Sequence, residues 1–386
     1  MDERVRWDDA RRLAYAAAPG PVLEWVPVAE AAGRTLAADL RAGIDVPHYP
    51  SSAMDGWAVA GAEPWILVDG GPLTPGSATG VATGGLIPGG TLGVLRHEYG
   101  AVRDGVLHRS PDAPDTEPGP GTHVRPVARE AQAGDVLLGA GTTLTPVALA
   151  VAVTGLHDTL PVARRPRVAL LHTGDEVITS GTPGPGQVRD SLGVLLATLV
   201  TQLGGEIVSA ATVPDDAGAT RVALTGTDAD LVLTTGGTGL SGVDLVRPAL
   251  TALAAEPVVP RLATRPGGPA LLARPPGGPL VVGLPGNPLA AVTAALLLAA
   301  PALAAMLGSG LAEPGRVRAG EAVAGRAGAD LLLPCTLPPA VRGAVPTAWT
   351  GSGMLRGLVH ADVLAVVPSV GAAVGDELDA LPLPWR

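Results

Sequence analysis

Three short, mostly apolar runs, each leading through a polar turn into a helix-like segment, constrain this chain more than any other feature. The runs occupy residues 168–171, 230–234 and 279–283. Runs of this length are typical of strands that are buried on both faces. Strands that alternate with helices form a parallel sheet with right-handed crossovers, and ligands bind at the carboxyl ends of its strands. We therefore expect the turns TGDE, TGGTGLSG and LPGNP to lie along one edge of a sheet.

Changes in composition and hydrophobic pattern divide the rest of the chain into predicted domains. The 386 residues exceed what a single hydrophobic core usually holds. The sequence predicts an α/β multidomain fold with four parts. These are a discontinuous helical and linker domain (1–45 plus 131–165), a small β domain (46–130), a central doubly wound domain with a parallel or mixed sheet (166–312) and a C-terminal β domain (313–386). Two helices are predicted within residues 1–40, over WDDARRLAYAAA and AEAAGRTLAADL.

Composition argues against several classes of protein. The formal net charge of -10 is unsuited to extended contact with nucleic acid, which needs basic surface. The single cysteine, Cys335, rules out an internal disulfide and fits a reducing compartment. The opening MDERVRWDDARR is charged throughout and predicts no secretory signal, so a cytoplasmic location is expected.

One stretch has to be weighed as a membrane span. Leu289–Leu307 is almost wholly apolar and close to the length of about 18 residues that marks such spans. It is rich in alanine, contains Pro301 and follows directly on a tight Gly/Pro turn. These features favour a buried helix of a layered domain, so no membrane partner is expected.

Carboxylates follow the first predicted strand and recur elsewhere. Asp175 and Glu176 in TGDE could hold a hydrated divalent cation beside a phosphate, or serve as a general base. The alternative is that they only cap the turn. Asp55 in SSAMDGWAVA and the pair Asp215–Asp216 in VPDDAG offer further acids, for which a plain turn and a solvated loop are the alternatives. The histidines show no metal-ligand spacing, so a histidine metal site is not predicted.

The glycine-rich second turn predicts a site for an anion. Around Gly236, Gly237 and Thr238, consecutive glycines let backbone N–H groups approach and surround a phosphate. The same turn spells G-x-G-x-x-G from Gly237 to Gly242, so a nicotinamide-dependent oxidoreductase is an alternative. That alternative requires an acid at the end of the next strand, whereas Glu256 precedes the apolar PVVP.

The third turn predicts a helix start that favours an anion. After Pro285 and Gly286, Asn287 can act as the N-cap and Pro288 as the first helical residue. The free N–H groups and the dipole of such a start attract negative charge, although a plain helix start is the alternative.

Taken in order, these segments resemble the MoeA/gephyrin-type molybdopterin molybdenumtransferases over nearly the whole chain. SSAMDGWAV is similar to the family's S-x-x-DG-Y-A-V segment, ATGGLIPGG to its TGA-x-x-P-x-G turn, and HTGDEV to its TGDEL turn. GQVRDS, the VPDDAG pair, TGGTGLSGVD and GLPGNP follow in the family's order. GSGMLRGLVHAD is similar to the family's segment that begins with GSG and ends with AD. Each motif alone is modest evidence for the resemblance, whereas the ordered set is specific for this family.

The resemblance implies an elongated four-part subunit that forms a homodimer, with the active cleft between subunits. The implied reaction inserts molybdate into adenylated molybdopterin with release of AMP, assisted by Mg²⁺. A separate molybdopterin adenylyltransferase is a further partner that the resemblance suggests. By motif position, the implied catalytic residues are Asp55, Thr83, Glu176, Asp215 and Asp244. The implied magnesium ligands are Glu176, Asp215 and Asp244.

Substrate contacts are also implied, with departures from the family pattern. They fall at Gly236, Gly237, Thr238, Arg265, Pro285, Gly286, Asn287, Pro288, Ser352 and Arg125. The family's K-P-G-K-P becomes Arg265-Pro-Gly-Gly268-Pro269, so the second cation is lost. The chain also has Leu192 where the family has Asn, Gly242 where it has Asp and Ala290 where serine is usual. The family's arginine near DLLLPCTL is replaced at about Pro334 or Cys335. Arg125, Arg189 and Arg356 are candidates to compensate, and a non-catalytic pterin-binding scaffold of the same fold is the alternative to an enzyme.

Overall fold

The central domain contains the sheet that the sequence predicts. The computed structural model describes residues 4–236, 238, 239 and 245–386. In chain order the strands are β1 (Arg167–Thr173), β2 (Glu206–Val213), β3 (Leu231–Thr235), β4 (Glu256–Val259), β5 (Leu271–Arg274) and β6 (Leu280–Leu284). Across the sheet they lie in the order β2-β1-β3-β6-β5-β4. The first four are parallel, and β5 and β4 each run antiparallel to the preceding strand in that order.

Helices cover both faces of this sheet. They are α1 (Trp7–Ala17), α2 (Leu192–Gln202), α3 (Ala217–Thr225), α4 (Val246–Ala252) and α5 (Pro288–Met306). Side chains alternate along each strand, so Val168 and Leu170 of β1 share a core with α1, α2 and α5, while Ala169 and Leu171 share one with α3 and α4. The predicted doubly wound α/β domain with a mixed sheet is therefore confirmed.

The long apolar stretch forms α5 inside this domain. By length and composition, α5 is the one helix in the described part of the chain that could cross a membrane, yet 89% of its most apolar window is buried within the fold. It packs against α1 and contacts β6. Gly308 follows it with φ +69, a left-handed conformation that stops helices and favours glycine. The predicted buried helix is confirmed.

Of the two helix predictions near the N-terminus, one is wrong. Helix α1 forms, but it packs on α5 of the central domain. Residues 29–40 form no α-helix, because Gly33 adopts φ +71 and the chain then pairs with other segments. Leu36 forms a β-bridge with Val162, and Leu40–Arg41 pairs with Val136–Leu138. The spacing of Leu36 and Leu40 resembled a helix, but both side chains enter a core built by tertiary pairing.

The small β domain contains a six-stranded sheet. In order across the sheet its strands are Gly93–Arg96, Gly56–Ala60, Ser77–Val81, Trp65–Leu67, Val106–Arg109 and Gly100–Arg103. Val59, Trp65 and Leu95 are buried in its core. Beside this sheet, Ser51–Ser52 pairs antiparallel with Val124–Arg125, which joins the two ends of the 46–130 segment.

Two further parts complete the subunit. In the discontinuous domain, Leu23–Pro27 pairs with Thr159–Ala163, next to helix Pro146–Thr154. The C-terminal part has helix Arg356–His360 and a sheet whose strands are, in order, Thr264–Arg265, Asp330–Thr336, Val363–Val367, Glu377–Pro382 and Gly315–Arg318. The first of these strands comes from the segment assigned to the central domain, so it carries Arg265 onto the C-terminal sheet.

Candidate functional site

A cavity of about 560 Å³ opens at the carboxyl edge of the central sheet, where β1, β3 and β6 end side by side. All three turns contribute to it, and so does the C-terminal part of the chain. Among the residues that line it are Glu176, Gly236, Gly286, Asn287, Pro288 and Gly353. The structure therefore brings the three turns to one space, as the strand order predicts.

Hydrogen bonds join the strand ends beneath the cavity. The Thr173 hydroxyl donates to the Thr235 carbonyl over 2.9 Å, and the Gly236 N–H donates to the Leu284 carbonyl over 2.9 Å. The buried His172 places Nδ1 3.2 Å from the Thr235 hydroxyl. These bonds link β1, β3 and β6, so the cavity floor belongs to the sheet itself. Sequence reasoning missed His172, Thr173 and Thr235; the available signal was that they are the last polar residues of buried strands.

Gly236 begins the second turn in a conformation that few other residues adopt. Its φ is +87, and an added Cβ would lie 2.8 Å from the Thr173 hydroxyl oxygen. We expect Gly236→Ala to destabilise the fold by about 1–3 kcal/mol, because it combines left-handed backbone strain with displacement of Thr173. Ligand binding should weaken as well, and urea unfolding with calorimetric titration measures both effects.

Gly186→Ala is the matched control for this exchange. Gly186 has φ +83, but nothing lies within 4 Å of an added Cβ. It should lose stability through backbone strain alone and bind ligand normally. Equal losses of ligand binding in the two variants would contradict the role given to the contact between Gly236 and Thr173.

Glu176 and the segment after it form one wall of the cavity. Val177–Ile178 pairs in parallel with Val188–Arg189, and the Glu176 carbonyl accepts the Val188 N–H over 2.9 Å. The Glu176 carboxylate folds over Gly174, where an added Cβ would lie 2.6 Å from Oε2. Asp175 is exposed and does not line the cavity. The two acids of TGDE are therefore placed differently, and Glu176 is the one at the site.

A second carboxylate in this wall was not selected from the sequence. Asp190 lines the cavity, and its Oδ1 accepts the Gly193 N–H over 2.8 Å at the start of α2. A carboxylate at this position is favourable because the first N–H groups of a helix have no partner within the helix. The signal in the sequence was an Asp-Ser pair just before an apolar helix.

The third turn contributes the start of α5. Asn287 is the N-cap residue and Pro288 the first helical residue, as predicted, and the Asn287 side chain makes no capping hydrogen bond. The Ala290 N–H donates to the Ser352 carbonyl over 3.2 Å, which brings the GSG segment to this helix start. Pro285 is buried at the end of β6. The Asn287 amide is therefore available to a ligand.

Asp55 and Thr83 form a second cluster, on the small β domain. The Asp55 carboxylate accepts the Thr83 N–H over 2.6 Å. The backbone N–H and the hydroxyl of Thr83, and then the nearby His97, hold the pKa of Asp55 below its usual value. The carboxylate is therefore stabilised in its ionised form, which makes it a weaker base but suits it to face a cation.

Arg125 is connected to this pair through the backbone of neighbouring residues. It is paired with Ser51, and the adjacent Ser52 exchanges backbone hydrogen bonds with the Gly84–Gly85 turn that follows Thr83. No backbone hydrogen bond between described residues joins the 46–130 segment to the central sheet. None of Asp55, Thr83 and Arg125 lines the cavity of the central sheet.

Other predicted contacts are placed away from the cavity. Thr238 is buried, its methyl group lies over Gly283, and its carbonyl accepts from Arg247 over 2.8 Å, so its side chain packs within the fold. Arg265 is exposed on the C-terminal sheet and does not line the cavity. Gly237, Gly242 and Asp244 lie outside the described residues.

The acids after β2 are divided between two roles. Asp216 caps α3, with its Oδ1 accepting the Ala219 N–H over 2.7 Å. Asp215 is exposed at the same edge of the sheet but does not line the cavity. Among the residues that the structure describes, no group of three or more His, Cys, Asp and Glu side chains is placed to hold a metal ion. Glu256 begins the antiparallel edge strand β4, which is not where the nicotinamide alternative needs its acid.

Two protein-family models match different parts of this chain. Residues 5–155 match the MoeA N-terminal region (domain I and II), and residues 169–305 match a probable molybdopterin binding domain. The chain belongs to the MoeA family. Among solved structures, it is similar to the molybdopterin biosynthesis MoeA protein of Pyrococcus horikosii, with a TM-score of 0.81 and 26% identity over 98% of this chain and 99% of that one.

Curated relatives of this MoeA-family chain carry the name molybdopterin molybdenumtransferase. Molybdopterin molybdenumtransferase 2 of Mycobacterium tuberculosis is 33% identical to this chain over 248 residues. The matched residues cover 58% of this chain and 59% of the relative. The protein of Nostoc is 32% identical over 259 residues, which cover 60% of this chain and 57% of the relative. The matched region thus spans about three fifths of the length of these relatives.

The positions where the family pattern has a cation or a hydroxyl donor that this chain lacks carry no substitute side chain. Gly268 has no side chain, and Ala290 is buried in α5. Cys335 is 2% exposed, and burial raises the pKa of its thiol to about 12, so it stays neutral. Any replacement for the lost positive charge must therefore come from elsewhere in the cavity.

Proposed function

We propose that this protein is a molybdopterin molybdenumtransferase of molybdenum cofactor biosynthesis, which inserts molybdate into adenylated molybdopterin and releases AMP. The observation that carries the proposal is the cavity in which Glu176, the Gly236 turn and the Asn287 helix start converge. A phosphorylated ligand needs close backbone approach, hydrogen-bond donors and a carboxylate, and these three elements supply them.

Each part of the cavity suits one part of such a ligand. The bare backbone at Gly236 and Gly286 lets a phosphate approach closely. The Asn287 amide has no capping bond and can donate to the ligand. Glu176 can orient an attacking water at the phosphoanhydride, because a carboxylate within hydrogen-bond reach acts as a general base.

Magnesium is part of the proposal. Glu176 would be its ligand from the cavity wall, with Asp215 and Asp244 as the further carboxylates. A preformed cage is not required, because Mg²⁺ is usually held by one or two carboxylates together with phosphates and water. When bound, the ion supplies positive charge that offsets the charge of the phosphoanhydride.

We propose that the active protein is a homodimer. Asp55, Thr83 and Arg125 of one subunit would complete the cavity of the other, since none of them lines the cavity within its own subunit. A cytoplasmic location and association with a separate molybdopterin adenylyltransferase are proposed with it, because the substrate must arrive already adenylated.

The reaction can be tested directly. Purified protein is given adenylated molybdopterin, Mg²⁺ and molybdate, and AMP is measured by chromatography. Release of AMP that depends on molybdate is expected. No release at millimolar molybdate, with the pterin bound in calorimetry, would instead identify a non-catalytic pterin-binding scaffold.

A further inference from the structure

We propose that Arg189 binds a phosphate group of the ligand and thereby supplies the positive charge that the carboxylates of the cavity wall require. The inference rests on the proposed function and names a residue that determines ligand affinity in that same cavity. Arg189 is the one lysine or arginine among the described residues that line the cavity. A site that holds a phosphorylated anion beside Glu176 and Asp190 needs positive charge, because two carboxylates would otherwise repel the ligand.

The backbone fixes the position of Arg189 in the cavity wall. Arg189 is paired with Ile178 in the short parallel ribbon, and the Asp190 N–H donates to the Ile178 carbonyl over 2.9 Å. The same ribbon holds Glu176 through its carbonyl. Arg189 and Glu176 therefore share one wall, and both line the cavity.

The guanidinium of Arg189 retains donors for an anion. Its Nη1 donates to the Gly181 carbonyl over 2.5 Å, within the same loop. Asp190 receives the Gly193 N–H and forms no ion pair with Arg189. A guanidinium has five N–H donors in a planar fork, which matches a phosphate through two parallel hydrogen bonds. One bond to Gly181 therefore orients the side chain and leaves most of its donors free.

The other cations considered from the sequence do not take this position. Arg356 stacks on the Trp349 ring, 4.1 Å from its centroid, and does not line the cavity. Arg125 belongs to the small β domain, and Arg265 to the edge of the C-terminal sheet. Of the arginines considered from the sequence, Arg189 is therefore the one that lines the cavity within one subunit.

The test measures binding of AMP and of molybdate by calorimetry at about 50 and about 300 mM salt. Arg189→Gln should weaken AMP binding by about 10- to 100-fold and flatten its salt dependence, since a charge-assisted contact is lost. Arg189→Lys should bind with intermediate affinity, because it keeps the charge without the fork. Arg221→Gln is the matched control, because Arg221 is exposed on α3 and does not line the cavity, and it should bind like the wild type.

The outcomes separate this inference from the proposed function. Unchanged AMP affinity in Arg189→Gln, with wild-type binding intact, would overturn the inference and leave the proposed function standing. Weaker molybdate binding with unchanged AMP binding would also overturn it, because the guanidinium would then contact the other oxyanion. A wild-type protein that binds neither AMP nor adenylated molybdopterin would refute the proposed function itself. Thermal unfolding of each variant checks that the fold is retained.

Discussion

Replacing Glu176 by glutamine should slow AMP release by about 100-fold or more, because the variant keeps the shape of the side chain but loses its charge. General base catalysis and metal ligation both depend on that charge, and removal of such a group typically lowers rates by about 10²- to 10⁴-fold. Glu176 faces the cavity from a turn fixed by Gly174, so no other acid of TGDE can take its place. The rate is measured at saturating adenylated molybdopterin and molybdate.

Asp175→Asn is the matched control in the same turn. Asp175 is adjacent, equally charged and exposed, but it does not line the cavity. Its exchange should change the rate by less than about twofold, as for ordinary surface positions. If the two variants lost activity equally, the charge of the whole turn would be responsible and the role of Glu176 would be refuted.

A heterodimer of two inactive variants should recover about half of the wild-type activity. Asp55→Asn and Glu176→Gln are each expected to inactivate both sites of a homodimer. If each cleft combines Asp55 of one subunit with Glu176 of the other, a mixed dimer has one intact cleft and one doubly altered cleft. Co-expression with two different affinity tags and purification through both gives the mixed dimer, in which AMP release is measured.

The arrangement of subunits decides the result of this experiment. If Asp55 and Glu176 act within one subunit, both clefts of the mixed dimer carry a substitution, and no activity returns. A dimer of two differently tagged Glu176→Gln chains controls for the tags and should stay inactive. A dimer of wild type with Glu176→Gln should show half activity under either arrangement, which calibrates the assay.

Much of the central domain could be predicted from the chain alone. Apolar runs buried on both faces have one plausible structural role, so β1, β3 and β6 and the edge where they end follow from the sequence. The start of helix α5 followed in the same way, because Asn287 and Pro288 are residues that start helices. These features depend on local backbone chemistry, which neighbouring residues fix.

The site could be predicted less fully. Glu176 and Asn287 were selected because they stand in turns with strong local signals. Asp190, Thr173 and Thr235 were not, since each looks like an ordinary cap or strand residue until other strands are placed beside it. Thr238 was selected from its glycine neighbours, yet its side chain is turned inward onto Gly283.

The sequence by itself determined the kinds of element and the edge where a ligand would bind, because hydrophobic periodicity and turn residues act over a few positions. Tertiary structure alone decided what that edge contains. It placed Glu176 but not Asp175 at the cavity, carried Arg265 onto another sheet, and placed Arg189 in the cavity wall. The direction of a side chain depends on partners distant in the chain, and no local pattern records them.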